Sequence, residues 1–418
     1  MRTRSVRAML ALILGVAGPV LVDTVGVGSA ANAAAPPGGT IVFLDGHDIW
    51  LTNGDGSRRY RVTYDGTAAS PYLSPSMSDG GVIAAGKGPF LVRMKQNGTV
   101  LNRMDPKPMT NSVGHPVDGP PVNVAISPDG TKIAYTMIGY GCPIGTDCMA
   151  RGVTGVTSAT RLTGPTMRSY YWEPSWLSNT RLMVHGGYGS HISLQDAGSS
   201  AAHWFDDSDV FGDLDSTDLG DAAVSRDGRA LVAVRGYGPD KHLINYRVTG
   251  DPRTGSPAAL ATPTALCVSG TDADLGETSW SPDGRAVVTA DSSGLVLMYP
   301  GQPCSATTYD VLGAGSEPHW SAARLSPGAR QFALGSRPKI SGTAKVGRKL
   351  TASSGRWSPA PGAVKYRWLR NGKSIAGATK RILVVKGRDR GKRISVRVTV
   401  TKSGYQTRSV TSPAKRVR

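Results

Sequence analysis

An all-β fold is predicted by three observations. Beyond the N-terminus, no long helix-period run of Leu, Glu and Lys occurs, and short apolar segments alternate with Gly, Pro, Asp and Asn turns. Gly (53) and Pro (28) are abundant while hydrophobic residues reach 39%, so the chain is turn-rich and globular rather than disordered. A strand–turn–strand unit also recurs along most of the length. The 418 residues suffice for a large core and a second domain.

Three near-copies of the unit stand out: Val124-Ala125-Ile126-Ser127-Pro128-Asp129-Gly130, Ala223-Val224-Ser225-Arg226-Asp227-Gly228 and Ser279-Trp280-Ser281-Pro282-Asp283-Gly284, each followed by an apolar strand. Pro and Asp start the turn and Gly supplies the positive φ it needs. Weaker copies sit at Ser74-Pro75, Ser178 and Ser321. Aligned on serines 74, 127, 178, 225, 281 and 321, the intervals are 53, 51, 47, 56 and 40 residues. A period of roughly 40–50 residues is that of β-propeller blades. Six innermost strands predict six blades. The N-terminal strands Ile41–Leu44, Asp48–Asn53 and Tyr60–Tyr64 lack an innermost partner, which Glu317–Ser321 would supply, hiding the exposed edges.

Ser-Pro-Asp-Gly before an apolar strand, followed by a strand such as Ile49-Trp50-Leu51, resembles the TolB-type (WD40-like, PD40-type) propeller repeat. The resemblance covers residues 38–337, with three strong and three degenerate copies. Trp172, Trp176, Trp204, Trp280 and Trp320 follow the repeat, so core packing is their expected role, with sugar stacking at a propeller mouth as the alternative.

The N-terminus reads as a secretory signal over residues 1–33. Arg2, Arg4 and Arg7 precede the 15-residue apolar run Ala8–Val22, and Ala31-Asn32-Ala33 is a cleavage site in pattern. The competing reading is a membrane anchor, but the run is short of ~20 residues and holds Gly15, Gly18 and Pro19. No other segment is long and apolar enough to span, so a secreted or cell-wall-associated protein is expected. Export permits disulfides. Four cysteines allow three pairings. Local pairing of Cys142 with Cys148 across Pro143–Asp147 leaves Cys267 with Cys304. A metal role is disfavoured because no Cys-x-x-Cys or neighbouring His cluster accompanies them.

Residues 338–418 hold 22 Lys and Arg against one acid, Asp389, a net +21 where the whole chain carries +18. The preceding residues therefore net −3, and the split predicts two domains with different partners. Alternation in Ile394–Val400 and Lys365–Trp368, with turns at Asn371-Gly372, Ala376-Gly377 and Ser403-Gly404, suggests an Ig-like β-sandwich. The pieces Val346-Gly347, Gly355-Arg356-Trp357, Tyr366–Gly372, Ile375–Thr379, Gly391–Ile394 and Gly404-Tyr405 resemble the Ig-like repeats of secreted bacterial proteins. That resemblance implies Trp368 as core tryptophan. Lys365, Arg367, Lys386, Arg388, Arg390, Lys392, Arg393 and Arg397 are the candidate anion-binding residues, for an anionic cell-wall polymer or acidic polysaccharide. The opposing reading is a solvated strand face. Nucleic acid is disfavoured, since no aromatic-and-glycine RNA-binding signature occurs.

Catalytic signatures are missing. Gly-x-Ser-x-Gly, His-Glu-x-x-His and the phosphate-binding Gly-x-x-x-x-Gly-Lys-Ser/Thr pattern do not occur. The seven histidines are scattered; His185 and His191 lie closest, and His319 sits in a repeated strand. No catalytic residue, metal ligand or cofactor is therefore expected. The acidic stretch Asp206–Asp221 fails the EF-hand pattern at Phe211, leaving a non-standard calcium loop or a solvated loop. The expected function is non-enzymatic binding: a propeller mouth meets a protein or other ligand while the basic module attaches to the envelope. The alternatives are a polysaccharide lyase or hydrolase working in the channel, marked by a carboxylate cluster there, or a structural module of an envelope assembly.

Overall fold

The computed structural model describes residues 37–112, 114–140, 150–164, 168–186, 191–212 and 217–418. The predicted signal segment and the Cys142/Cys148 pair lie outside these residues. Among the described residues, six four-stranded antiparallel sheets follow one another as simple meanders. Their innermost strands are Ser316–Ser321, Tyr72–Met77, Val122–Ile126, Trp172–Trp176, Leu219–Val224 and Gly276–Trp280, numbered here as sheets one to six. Each innermost strand packs against the next in chain order, and sheet six packs against sheet one, so the sheets ring a central channel as a β-propeller. Sheet one takes its inner strand from the far end of the ring: Thr40 pairs with Ser321, Ile41 with Trp320 and Val42 with His319.

The turn chemistry explains the repeat. Ser127 Oγ donates to Asp129 Oδ1 (2.6 Å) and accepts from Lys132 N (3.0 Å), while Asp129 Oδ1 accepts from Thr131 N (2.9 Å). Gly130 closes the turn at φ 73°. Ser225/Asp227 and Ser281/Asp283 repeat these bonds. In sheet two the equivalent serine is Ser78, whose Oγ accepts from Val82 N at 3.2 Å. The sequence alignment on Ser74 was therefore four residues early, and the first interval is 49 residues rather than 53. Two tryptophans tie neighbouring sheets together and a third ties the closing strand of sheet one to the N-terminal segment. Trp176 Nε1 donates to Ala125 O (3.0 Å), Trp280 Nε1 to Ala223 O (3.0 Å) and Trp320 Nε1 to Gly38 O (2.9 Å).

The C-terminal residues form two further packed sheets. One joins Ile340–Ser341, Lys349–Ala352 and Ile382–Val384; the other joins Lys373–Ser374, Ala363–Arg370, Arg393–Thr401, Arg408–Thr411 and Lys415–Arg416. Trp368 is fully buried among Leu350, Ile394, Val396, Val398 and Val400. Its Nε1 donates to Lys380 O at 2.9 Å. Ser395, a polar position of the Ile394–Val400 alternation, is nevertheless buried opposite Leu369. This core reaches back to Phe332, and Ala333–Ser336 pairs with Arg356–Ser358, so it begins ahead of Pro338. Pro37–Arg418 clusters as one unit. Arg330 fastens the junction: its guanidinium stacks 4.2 Å from the Tyr60 ring centroid, bonds Tyr60 Oη, Tyr64 Oη and Arg61 O, and its backbone pairs with Gly404 and Gln406.

Candidate functional site

Every innermost strand breaks register near its start. The shifts fall between Leu73 and Ser76, Val122 and Ala125, Trp172 and Ser175, Gly220 and Ala223, Gly276 and Ser279, and opposite Val42/Leu44 in sheet one. A bulge leaves one residue unpaired and re-aims its side chain. Ser74, Asn123, Glu173, Asp221 and Glu317 occupy these bulges with φ of 44° to 49°, and Glu277 holds the matching place in sheet six. All six line the central cavity of about 420 Å³. Four are carboxylates.

The acids are not equivalent. Burial works to raise Glu173, but His185, 3.1 Å from its Oε2, and the donated Asp221 N–H (2.9 Å) hold it below the usual range. For His185, burial disfavours the charged ring, yet Glu173 outweighs it and the pKa is raised. Asp221 is pushed up to about 7 by burial and then by the Glu173 charge. Glu277 is raised well above its ordinary value by burial and by Asp221, Glu317 and Glu173 around it. Glu317 is raised by burial, against a short hydrogen bond from Ser74 N (2.5 Å). One end of the channel thus sets Glu173, whose charged form is favoured, beside Asp221, Glu277 and Glu317, whose charged forms are disfavoured, an arrangement suited to a cationic group or to proton transfer.

The other end is strapped. Asp79, on the sheet-two turn, meets Arg226, on the sheet-five turn, in a bidentate pair of 2.6 and 2.9 Å. Sheets two and five stand three places apart around the ring, so the pair spans the channel. His319 also lines the cavity, and its Nδ1 accepts Met77 N–H at 3.3 Å. Burial, with the Arg226 charge, lowers its pKa to about 4.

The structure places the sequence candidates elsewhere. Lys365, Arg367, Arg393 and Arg397 are exposed on strands of the C-terminal module, and Lys386, Arg388, Arg390 and Lys392 are exposed on the connection between Ile382–Val384 and Arg393–Thr401. Arg367 lies directly opposite Arg397, and Arg393 opposite Arg416, so like charges face each other across strands. Asp389 is buried and bonded to Arg370 at 2.6 Å. Cys267 and Cys304 form a disulfide linking the outer strand of sheet five to the turn before the outer strand of sheet six, at the rim. Within Asp206–Asp221, two acids have structural roles. Asp206 caps the helix Asp207–Phe211, and buried Asp207 pairs with Arg235 at 2.7 Å. Residues 213–216 of that stretch lie outside the described residues.

The channel acids went unrecognised in the sequence. Their signal was an acid three residues before a tryptophan, in Glu173/Trp176, Glu277/Trp280 and Glu317/Trp320.

No family model matches the chain, and no curated protein matches it in sequence. Among solved structures it is similar to TolB from Acinetobacter baumannii, at 16% identity over 68% of this chain and 66% of that one, with a TM-score of 0.46. A chain of the nidogen/laminin complex is 12% identical over 69% of this chain and all of its own, at 0.43. A protein of unknown function from Bacteroides caccae is 10% identical over 68% and 99%, at 0.42.

Proposed function

We propose that this chain is an exported binding protein: a six-bladed, TolB-type propeller whose channel receives a cationic group, followed by an Ig-like module that attaches to an anionic envelope polymer. One observation carries the attachment. The only side-chain acid among residues 338–418, Asp389, is buried against Arg370, so the outer surface of that module presents Lys and Arg with no exposed side-chain carboxylate to offset them. Facing pairs such as Arg367/Arg397 cost stability on their own, and a polyanion relieves that repulsion. The module's core includes Phe332, so truncation at Pro338 cuts into it; exposed charges make the cleaner test. Arg367→Glu with Arg397→Glu should reduce co-sedimentation with purified sacculi at least tenfold at low salt. The remaining binding should depend less on salt. Unchanged, salt-insensitive sedimentation would remove the tether.

A second reading has a specific observation in its favour. Carboxylates whose environments drive their pKa values apart, Glu173 down and Asp221 and Glu277 up, are the pattern of an acid–base pair. A channel-bound polysaccharide would then be the substrate of a lyase or hydrolase. Release of reducing ends or unsaturated products, lost in Glu173→Gln and Asp221→Asn, supports that reading; no release from acidic wall polysaccharides supports binding.

A further inference from the structure

We propose that His191, His203 and Asp206 form a surface site for a divalent transition-metal ion, distinct from the channel. Strand His191–Asp196 and its neighbour Ala202–Phe205 form the outer half of sheet four. Their register shifts between Ile192/Phe205 and Ser193/His203, which brings the two imidazoles together although they are twelve residues apart. Their Nδ1 atoms lie 3.1 Å apart with the rings nearly perpendicular. Two nitrogens each ~2.0–2.1 Å from one tetrahedral zinc are separated by about 3.3 Å. One ligand atom from each of His191, His203 and Asp206 falls within 4.8 Å of the others, a span that side-chain torsion can close.

The tautomers strengthen the case. His203 Nε2 lies 3.2 Å from Asp209 Oδ2, a pure acceptor, so the neutral imidazole places its proton on Nε2 and offers the Nδ1 lone pair. A carboxylate behind the distal nitrogen is the usual support of a metal-binding histidine. His191 Nε2 faces Asp206 Oδ2 at 4.0 Å. If His191 instead carried its proton on Nδ1 to bond His203, its Nε2 lone pair would face that carboxylate. A cation between the two Nδ1 atoms removes the conflict. Asp206 Oδ1 is held by Ser208 Oγ (2.7 Å) and Asp209 N (3.0 Å), which leaves Oδ2 as the oxygen available for a third contact. Two imidazoles and one carboxylate favour zinc, nickel or copper over calcium or magnesium, and leave a position for water or an outside ligand. The histidine side chains are 37% and 44% exposed, so an ion can reach them.

The test is zinc titration of the untagged full chain against a chromophoric chelator. One equivalent should bind. His203→Gln should weaken binding at least tenfold, and His191→Ala with His203→Gln should abolish that equivalent. Asp209→Asn, which touches no metal in this geometry, should cost ten- to a hundredfold by freeing the His203 tautomer. Zinc at a hundredfold over Kd should raise the wild-type melting temperature and leave the double variant unmoved. No zinc binding, or a stoichiometric site retained in the double variant, overturns the proposal. Full affinity in Asp209→Asn overturns the assigned tautomer and the ligand geometry built on it.

Discussion

Asp221→Asn should make this protein more stable, increasingly so as pH rises. The substitution suits the backbone: Asp221 sits at φ 48°, and the equivalent bulge of sheet three already holds an asparagine, Asn123, at φ 45°. The side chain keeps its shape and loses only its charge. An Asp carboxyl raised from 3.8 to about 7 corresponds to a cost of about 4 kcal/mol when fully ionised in the folded state. That net shift already contains the attraction of His185 and Lys241. Between about pH 4 and 7 the folded chain keeps a proton that the unfolded chain has released. Folding therefore takes up a proton, and wild-type stability falls as pH rises through that window. About 2 kcal/mol is gone by pH 5.5, and the full amount above about pH 8. The Asn variant has no proton to take up. Its advantage should grow by about 2 kcal/mol between pH 5.5 and 8.5. Urea unfolding at both pH values, with slopes checked for equality, measures this difference of differences and cancels any fixed effect of the amide. Losing the Asp221 charge also eases ionisation of Glu277, which adds in the same direction. An advantage that stays constant or shrinks with pH would refute the reading of the channel as a crowded, proton-holding carboxylate group.

Two further outcomes follow from the geometry. Reducing and alkylating Cys267 and Cys304, which are separated by 37 residues, should destabilise the chain by about 4 kcal/mol on a loop-entropy basis; an unchanged unfolding midpoint would deny the bridge a stabilising role. Arg226→Ala should cost less than about 1 kcal/mol because the pair with Asp79 is substantially exposed. It should nevertheless speed entry of a small cationic probe into the channel, read by stopped-flow tryptophan quenching; an unaltered rate would mean that the strap does not obstruct this mouth.

The repeated turns were legible because the turn chemistry sits in consecutive residues. Ser127, Asp129 and Gly130 bond one another, so their spacing survives in any copy. Trp368 and the alternating valines of Ile394–Val400 were legible for a similar reason, since a strand with one buried face writes its period into the sequence. Bulges defeat that logic. Glu173, Asp221, Glu277 and Glu317 sit where the two-residue period is interrupted, and each looks like a solvated residue beside a strand. Ser74-Pro75 imitated the start of the repeated turn and drew the alignment away from Ser78. His191 and His203 belong to one strand pair, but a register shift decides that their rings meet, and no residue spacing encodes it. Phe332 joined the C-terminal core without a change in local charge to announce it.

The pairing of Thr40–Asp45 with Ser316–Ser321 also dictates when the ring can be completed. Made from its N-terminus, the chain has its first strands long before residue 316 exists, and the contact spans about 280 residues of sequence. Contacts of such separation form late and slowly. Until then Thr40–Asp45 lacks its inner neighbour and offers an unpaired, apolar edge to any passing strand. The same edge reopens whenever Ser316–Ser321 peels away, and the C-terminal module follows that strand after a short segment in which Ala323 and Leu325 are packed into the propeller core. A mechanical load on that module would be carried toward the seam, where Arg330 and its tyrosines brace it against the ring.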